Sequence, residues 1–298
     1  MQDLAKEVPE IEEGVLISNF SSFGIGGKAD YFFRARKMEK LISVLEETAK
    51  RNIPIFIFGG GTNILFSDDG FRGLVIRNEC NDMQFEDEEV LVESGTRLST
   101  LIALSREKRL SGLESLFGIP GTIGGAIFGN AGAFGDEICK LVKTVSIFSS
   151  KGFEDIHINH KEDCGYRTSR FKEKKEIILK IKFKLNKSKK EVITDKKIVE
   201  IRKEQSYANN VGSFFKNPVG DLTAGELLDK VGAKKMSVGK AIVLSEHANF
   251  LANGGGASCE DVLALAKKLQ NKVKEKFGIL LEPEVTIVNS NQGFFNKL

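Results

Sequence analysis

The 298-residue sequence predicts an α+β protein, and three features of the chain support this class. A helical stripe of apolar residues over 37–51 is followed by an apolar run of strand length over 53–58. Glycine is abundant, with 30 residues against 5 prolines, and it is clustered. Clustered glycine is typical of backbone that approaches a ligand closely. The length fits two modest domains, or one domain with an elaborated lobe.

The first helix and the first strand are the clearest of these elements. Leu41, Leu45 and Ala49 recur at helical spacing and predict one buried helix face. The strand over 53–58 is almost wholly apolar and ends at a run of three glycines. With the further strand-like runs and the second helix, the first half of the chain is predicted to be α+β.

The segment 112–135 holds eight glycines in 24 residues. Each glycine inside a helix or strand costs about 0.5–1 kcal/mol, so this density argues against regular structure. The segment is predicted to be a long ordered loop or a binding surface.

The second half of the chain shows one internal boundary. Residues 186–210 are polar and charge-rich, which favours a boundary before a smaller second domain. A long helix is predicted to begin at Ser258, with Asp261 completing its cap, and to end at Gly278. The other predicted elements are strands at 73–77, 90–94, 141–149, 176–185 and 279–288 (broken at Pro283), a helix carrying Leu98, Leu101, Ile102 and Leu110, and a helix near 222–231.

Composition excludes several classes of protein. The net charge is +3 and no basic block is dense enough for a nucleic-acid arm, so nucleic acid is not an expected partner. No apolar stretch is long enough for a signal peptide or a membrane span, which predicts a cytoplasmic protein. The four cysteines form no C-x-x-C pair, so neither zinc nor another metal is expected and the thiols are predicted to be reduced.

The run Gly59-Gly60-Gly61-Thr62-Asn63 directly follows the predicted buried strand. Without Cβ atoms, its backbone N–H groups can approach an anion, and Thr62 and Asn63 add side-chain donors. It is neither a P-loop nor a dinucleotide fingerprint. The alternative interpretation is a tight β-turn.

The second glycine-rich segment, 118–135, favours the anion-binding interpretation of the first run over a tight β-turn. A loop of this length is usually functional or disordered, and this one is too apolar for disorder. Two such loops suggest a diphosphate held from both sides, whereas a plain surface loop is the alternative.

Three short segments each place a polar or ionisable residue among small or apolar ones. They are Cys-Gly-Tyr-Arg-Thr-Ser over 164–169, Gly-Ser-Phe-Phe-Lys-Asn-Pro over 212–218 and Leu-Glu-Pro-Glu-Val over 281–285. Each segment taken alone is better explained by ordinary surface or turn residues.

In their order along the chain, these segments resemble the UDP-N-acetylenolpyruvoylglucosamine reductase family, with coverage from 23–27 to 284–285. The resemblance implies an FAD-binding domain of the p-cresol methylhydroxylase type, followed by a smaller α+β substrate-binding domain. We place the domain limits at 23–188 and 189–298, after an N-terminal segment of residues 1–22.

The resemblance also implies a reaction, the synthesis of UDP-N-acetylmuramate for the bacterial cell wall. NADPH reduces a non-covalently bound FAD, and the reduced flavin gives hydride to C3 of the enolpyruvyl ether. Negative charge then spreads from C2 into the substrate carboxylate. The matching motifs imply that Arg167 sits against this carboxylate, that Ser213 protonates C2 and that Glu284, if protonated, completes the polarisation.

The resemblance assigns binding roles to a further set of residues. Tyr166, Lys216 and Asn217 are implied to contact the substrate. The residues implied to hold the flavin and its diphosphate are Gly59, Gly60, Gly61, Thr62, Asn63, Ile119, Pro120, Gly121, Thr122, Gly124 and Gly125.

The chain departs from the family pattern at three places. Phe134 replaces a frequent tyrosine, and 203–210 lacks the prolines often found before the Gly-Ser motif. Arg167 and Ser213 are separated by 213 − 167 = 46 positions, which is short for the subclass with an extra fold over the substrate. The chain therefore resembles the compact subclass, with a different lid.

The sequence is also compatible with two other functions. One is an FAD-dependent oxidase or dehydrogenase of an alcohol or sugar on the same cofactor fold, for which Cys139 near the second loop could tether the flavin. The other is a nucleotide-sensing module without chemistry. The expected partner is a small UDP-sugar, and the expected assembly is a monomer or weak dimer.

Overall fold

The computed structural model describes residues 4–189, 191–192, 195–203 and 209–290, with the backbone alone described at 201–203. Three main sheets and several helices make up this part of the chain, which confirms the α+β prediction. The residues 204–208, within the segment that lacks the expected prolines, lie outside the described part.

The first sheet has four strands and mixes parallel with antiparallel pairs. Its strand order is Glu12–Leu16, Lys28–Ala35, Phe71–Asn78 and Ile55–Phe58. The first pair is antiparallel and the other two pairs are parallel. The helix Met38–Lys50 supplies the crossover between two strands and buries Leu41 and Leu45, as the apolar stripe predicts. Ala49, predicted on the same buried face, is exposed, and the last buried residue of this helix is Thr48.

The second sheet has five antiparallel strands. In spatial order they are Gly152–His157, Val142–Ser149, Ile177–Lys184, Glu89–Glu93 and Met83–Glu86. The helix Leu98–Glu107 packs its buried Leu98, Leu101 and Ile102 into the core beside this sheet. Leu110, predicted on the same helix, lies instead in the short strand Leu110–Ser111, because the helix ends before Arg109, whose φ of 57° is left-handed.

The third sheet lies in the C-terminal part of the chain. Its antiparallel strands are Asn210–Ser213, Phe250–Asn253, Ala241–Val243 and Ser237–Val238. The helix Cys259–Phe277 packs against it, begins at a capping box of Ser258 and Asp261 and ends at a left-handed Gly278, as predicted. A second helix, Ala224–Lys230, has its own capping box.

The end of the described chain returns to the first part of the molecule. Only Thr286–Val288 forms a strand there, and it pairs in parallel with Ile64–Phe66. The predicted strand over 279–288 is therefore wrong for its first residues, which make one isolated bridge from Pro283 to Phe215. This return places 281–285 directly beside the glycine run that ends the strand Ile55–Phe58.

The remaining elements are short. They are α-helices Leu4–Glu7, Ile123–Phe128, His160–Asp163, Arg170–Lys174 and Lys196–Lys203, 3₁₀ turns Ile17–Phe20, Glu114–Leu116, Ile138–Leu141 and Ala233–Lys235, and strands Gly132–Ala133, Asp136–Glu137, Cys164–Gly165, Thr168–Ser169 and Asn186–Lys187. Within the described residues, no helix is both long and apolar enough to cross a bilayer, and no three His, Cys, Asp or Glu side chains group as metal ligands. All four cysteines are free thiols.

Candidate active site

One cavity of about 630 Å³ lies where the three sheets approach one another. Its wall contains sixteen of the seventeen residues singled out in the sequence: Gly59, Gly60, Gly61, Thr62, Asn63, Ile119, Pro120, Gly121, Thr122, Gly124, Gly125, Tyr166, Arg167, Ser213, Asn217 and Glu284. Lys216 lies outside this wall, and its ammonium is 3.8 Å from the Glu282 carboxylate. The fold thus assembles one site from segments that are far apart in the chain.

The first glycine run leaves its backbone donors unused. Within the described part of the chain, the N–H groups of 59–63 donate to no protein acceptor, and Gly121 and Thr122 behave in the same way. Backbone donors in this arrangement suit an anion such as a diphosphate.

The glycines themselves mainly allow the two loops to meet. A Cβ on Gly59 would lie 2.1 Å from Thr122 Oγ1, and one on Gly61 would lie 2.2 Å from the carbonyl oxygen of Phe20. Gly61 also has a left-handed φ of 65°. The absence of side chains here is required by protein packing as well as by any approach of a ligand.

The second glycine-rich segment contains regular structure, contrary to the prediction. The helix Ile123–Phe128 forms within it, because Thr122 caps the helix by accepting from the N–H of Gly125. The N–H groups of Ile123 and Gly124 donate to the carbonyls of Thr96 and Ser94. The N–H groups at the start of this helix therefore already have protein acceptors. The unused donors are those of Gly121 and Thr122, directly before the helix.

Arg167 lies at the tip of the hairpin formed by Cys164–Gly165 and Thr168–Ser169, with a left-handed φ of 56°. Its Nη2 donates to the carbonyl of Gly132 at 2.8 Å, and its Nε lies 3.2 Å from Glu284 Oε1. One contact ties the guanidinium to the second glycine-rich segment and the other to the C-terminal part. A guanidinium held on two sides presents its remaining N–H groups in a defined direction.

Burial raises the pKa of the Glu284 carboxyl above its ordinary value, although the positive charges of Arg167, Lys172 and Lys216 oppose this shift. Its backbone N–H donates to the carbonyl of Phe214 at 2.8 Å. The Glu284 carboxyl is therefore held in place and is easier to protonate than a glutamate in water.

Ser213 is the last residue of the strand Asn210–Ser213 and lies opposite Phe250 in the third sheet. The next two residues are anchored by Asn249, which accepts from the N–H of Phe214 through its carbonyl and from the N–H of Phe215 through Oδ1. Two hydrogen bonds to one buried residue hold the backbone directly after Ser213 in place.

Asn217 and Tyr166 contact each other on the rim. The backbone N–H of Asn217 donates to the Tyr166 hydroxyl at 3.3 Å, and Asn217 Oδ1 accepts from the N–H of Ala224. The Tyr166 ring lies 5.2 Å from the Arg167 guanidinium. These contacts join the hairpin to the C-terminal part across the mouth of the cavity.

Sequence reasoning missed several wall residues. Lys172, on the short helix Arg170–Lys174, reaches the wall, and burial lowers the pKa of its ammonium. Asn78 and Ser94 form a buried chain in which Asn78 Nδ2 donates to Ser94 Oγ, which in turn donates to the Ile178 carbonyl. A polar residue at the end of each apolar strand was the signal that could have indicated Asn78 and Ser94.

The chain matches two protein families along its length. The family described as "FAD binding domain" matches residues 29–152, and "UDP-N-acetylenolpyruvoylglucosamine reductase, C-terminal domain" matches residues 203–288. The UDP-N-acetylenolpyruvoylglucosamine reductase of Clostridium novyi is 36% identical over 94% of this chain and 92% of its own length. The chain belongs to the UDP-N-acetylenolpyruvoylglucosamine reductase family. It is thus an FAD-binding oxidoreductase of peptidoglycan precursor synthesis.

Further members of the reductase family agree with this assignment. The enzyme of Carboxydothermus hydrogenoformans is 37% identical over 96% of this chain and 97% of its own length. The crystal structure of the reductase from Thermus caldophilus has a TM-score of 0.77 and 31% identity, and it covers 93% of this chain and 98% of its own. A structure of alkyldihydroxyacetonephosphate synthase, at 14% identity and a TM-score of 0.50, shares the fold over 63% of this chain and 41% of its own.

The residues of the cavity fit the flavin nucleotide that the reductase family implies. The unused N–H groups of 59–63 suit a diphosphate, and Asn63 Oδ1 is buried with no hydrogen-bond partner among the described residues. Ile119, Phe128 and Phe215 supply apolar wall for a ring system. The glycine segments are therefore suited to FAD at both its charged and its apolar parts.

Proposed function

We propose that this enzyme reduces the enolpyruvyl ether of UDP-N-acetylglucosamine-enolpyruvate to UDP-N-acetylmuramate, with NADPH as the electron donor. The observation that carries the proposal is the Arg167–Glu284 ion pair at 3.2 Å in the same cavity wall as Ser213 and both glycine segments. When bound between 59–63 and 119–125 and reduced by NADPH, FAD would supply the hydride for the new C–H bond at C3.

Arg167 and Glu284 are proposed to act on the charge that develops in the substrate. As the C3–H bond forms, the electron pair of the double bond moves to C2 and into the carboxylate. The permanent charge of Arg167 stabilises this dianion, and a protonated Glu284 donates a hydrogen bond to it. The raised pKa of Glu284 supports its protonated form.

Ser213 is proposed to complete the reaction at C2. Its O–H bond breaks as the C2–H bond forms, and the alkoxide recovers a proton from solvent. A serine hydroxyl is a poor acid toward water, but the acceptor here is a strongly basic carbanionic centre. The partly buried position of Ser213 on the cavity wall supports this role.

The proposed binding roles assign different residues of the cavity wall to the cofactor and to the substrate. The residues 59–63 and 119–125 are proposed to hold FAD, and Tyr166 and Asn217 to contact the UDP-sugar. Lys216 lies outside the cavity wall. It is proposed to contribute to substrate binding through its positive charge, which also acts on the Glu284 carboxyl.

The domain limits 23–188 and 189–298 are retained as part of this proposal. One hydrophobic core holds most of the buried apolar residues after 210, together with Phe23, Ile25 and Leu65. The cytoplasm as the place of action and a monomer or weak dimer as the assembly stay predictions.

The alternative oxidase function has no support from Cys139. Its thiol is 1% exposed, lies outside the cavity wall and has a pKa raised by its contact with Cys164 and by burial. A buried, protonated thiol is a poor group for attaching a flavin.

Separate measurement of the two half-reactions under anaerobic conditions tests the proposed function. NADPH is expected to bleach the flavin, and the enolpyruvyl nucleotide is expected to restore its colour. Oxygen-dependent NADPH consumption at the same rate without that nucleotide would contradict the proposal.

A further inference from the structure

The Lys172 ammonium is a partly buried charge with no hydrogen-bond or ion-pair partner among the described residues. It lies in the cavity wall, and within the described part of the chain it makes neither a hydrogen bond nor an ion pair. Removing an ammonium from water without a partner is costly, so such a group is usually kept for a ligand.

The surroundings of Lys172 associate it with the Arg167–Glu284 pair of the same cavity wall. The charges that act on it are those of Lys216 and Glu284, and Glu284 in turn contacts Arg167 at 3.2 Å. Of the other acids near this helix, Glu176 is already bound by Arg170 through two N–H donors, and Glu173 is exposed. Lys172 therefore belongs with Arg167 and Glu284.

The cavity wall around the Arg167–Glu284 pair carries an excess of positive charge. Arg167, Lys172 and Lys216 all act on the single carboxyl of Glu284, whose pKa burial nevertheless raises. Lys216 is itself paired with Glu282, but Arg167 and Lys172 in the wall leave a positive field around an acid that is readily neutralised, and an anionic ligand group would balance it.

We propose that Lys172 is a further catalytic residue that contacts the substrate carboxylate and stabilises the negative charge that forms there during reduction. This inference rests on the proposed function, because that reaction turns a monoanion into a dianion at this point. A contact that strengthens as charge develops accelerates the reaction more than it tightens substrate binding.

The test compares Lys172→Met, which removes the charge and keeps the length, with Lys172→Arg, which keeps the charge. Lys174→Met is the matched control, because Lys174 is exposed on the same short helix. Each holoenzyme is reduced either by NADPH or by dithionite and is then mixed anaerobically with the enolpyruvyl nucleotide. Substrate binding to the oxidised enzyme is measured separately from the change in the flavin spectrum.

Loss of one preorganised charge is expected to slow flavin reoxidation by substrate about a hundredfold in Lys172→Met. In the same variant, we expect changes of less than about threefold in the FAD content, in the rate of flavin reduction by NADPH and in the substrate Kd. These changes are small beside the expected loss of reoxidation rate. Lys172→Arg should recover most of the rate, and Lys174→Met should match the unmodified enzyme.

Three outcomes would overturn the proposal. Unchanged reoxidation in Lys172→Met would remove Lys172 from the reaction, and loss of FAD or of NADPH reduction would assign it to the cofactor instead. A rise in Kd equal to the fall in rate would assign it to ground-state binding. If the methionine variant does not fold, Lys172→Gln gives the same comparison. The proposed function itself fails only if the unmodified enzyme is not reoxidised by the nucleotide.

Discussion

The Nε atom of Arg167 lies 3.2 Å from Oε1 of Glu284, although Arg167 belongs to a hairpin next to the second sheet and Glu284 follows the long C-terminal helix. The pair forms because the chain after Cys259–Phe277 turns back to the glycine run, where the Glu284 carbonyl accepts from Asn63 Nδ2 at 3.5 Å. Glu284 therefore connects the Arg167 hairpin to the first glycine run through two contacts.

Replacement of Arg167 by lysine should abolish most of the substrate half-reaction and leave FAD bound. A lysine keeps the positive charge but cannot donate to Gly132 and face Glu284 with one planar fork. We expect reoxidation by substrate to fall about a hundredfold, as for the loss of an oxyanion donor. Stopped-flow absorbance measures this rate, with Arg36→Lys, on the exposed surface, as the control. Unchanged turnover would remove Arg167 from the site.

Replacement of Ser213 by alanine should separate the two half-reactions. Reduction of the flavin by NADPH is expected to persist, whereas reoxidation by substrate should slow by a factor of about 10²–10⁴, the usual contribution of a general acid. Ser237→Ala serves as the control, since Ser237 is exposed on an edge strand of the same sheet. If both half-reactions survive in Ser213→Ala, another group donates the proton.

The rate of the substrate half-reaction should fall as pH rises. Burial raises the pKa of Glu284, and the reaction is proposed to need the protonated carboxyl, so activity is lost as pH rises through that raised value. Above it, the rate should drop about tenfold per pH unit, in proportion to the protonated fraction. Glu284→Gln, which donates a hydrogen bond at every pH, should be slower and nearly flat over this range. A glutamine variant with the same alkaline decline would show that a different group titrates.

Gly61 offers a test of the cofactor cradle with a closely matched control. Gly61 and Gly14 have left-handed φ values of 65° and 64°, so alanine at either position costs about 1–2 kcal/mol of backbone strain. A Cβ on Gly61 would lie 2.2 Å from the Phe20 carbonyl oxygen, whereas a Cβ on Gly14 has nothing within 4 Å. Gly61→Ala should lose FAD on gel filtration and melt well below Gly14→Ala. Equal FAD content in the two variants would contradict a cradle at 59–63.

Elements with a strong local pattern could be predicted from the sequence. The helix Met38–Lys50 formed where the apolar spacing predicts it, and Cys259–Phe277 formed where apolar spacing and capping residues agree. The helix Ile123–Phe128 could not be predicted, because its glycines disfavour a helix. The Thr122 cap, hydrogen bonds to Ser94 and Thr96, and burial of Ile123 and Ile127 stabilise it. The final strand was overestimated, because pairing with Ile64–Phe66 is available to Thr286–Val288 alone.

The sequence by itself determined the α+β class and the two glycine-rich segments, since both depend on residue type and local order. Arg167, Ser213 and Glu284 became candidates through the resemblance of the ordered motifs to a known family. The tertiary structure alone decided that these residues share one cavity, that Lys216 lies outside its wall and that Lys172 lies within it. The physical reason is that the position of a side chain around a cavity depends on long-range chain pairing and burial. Neither property is encoded in the spacing of neighbouring residues.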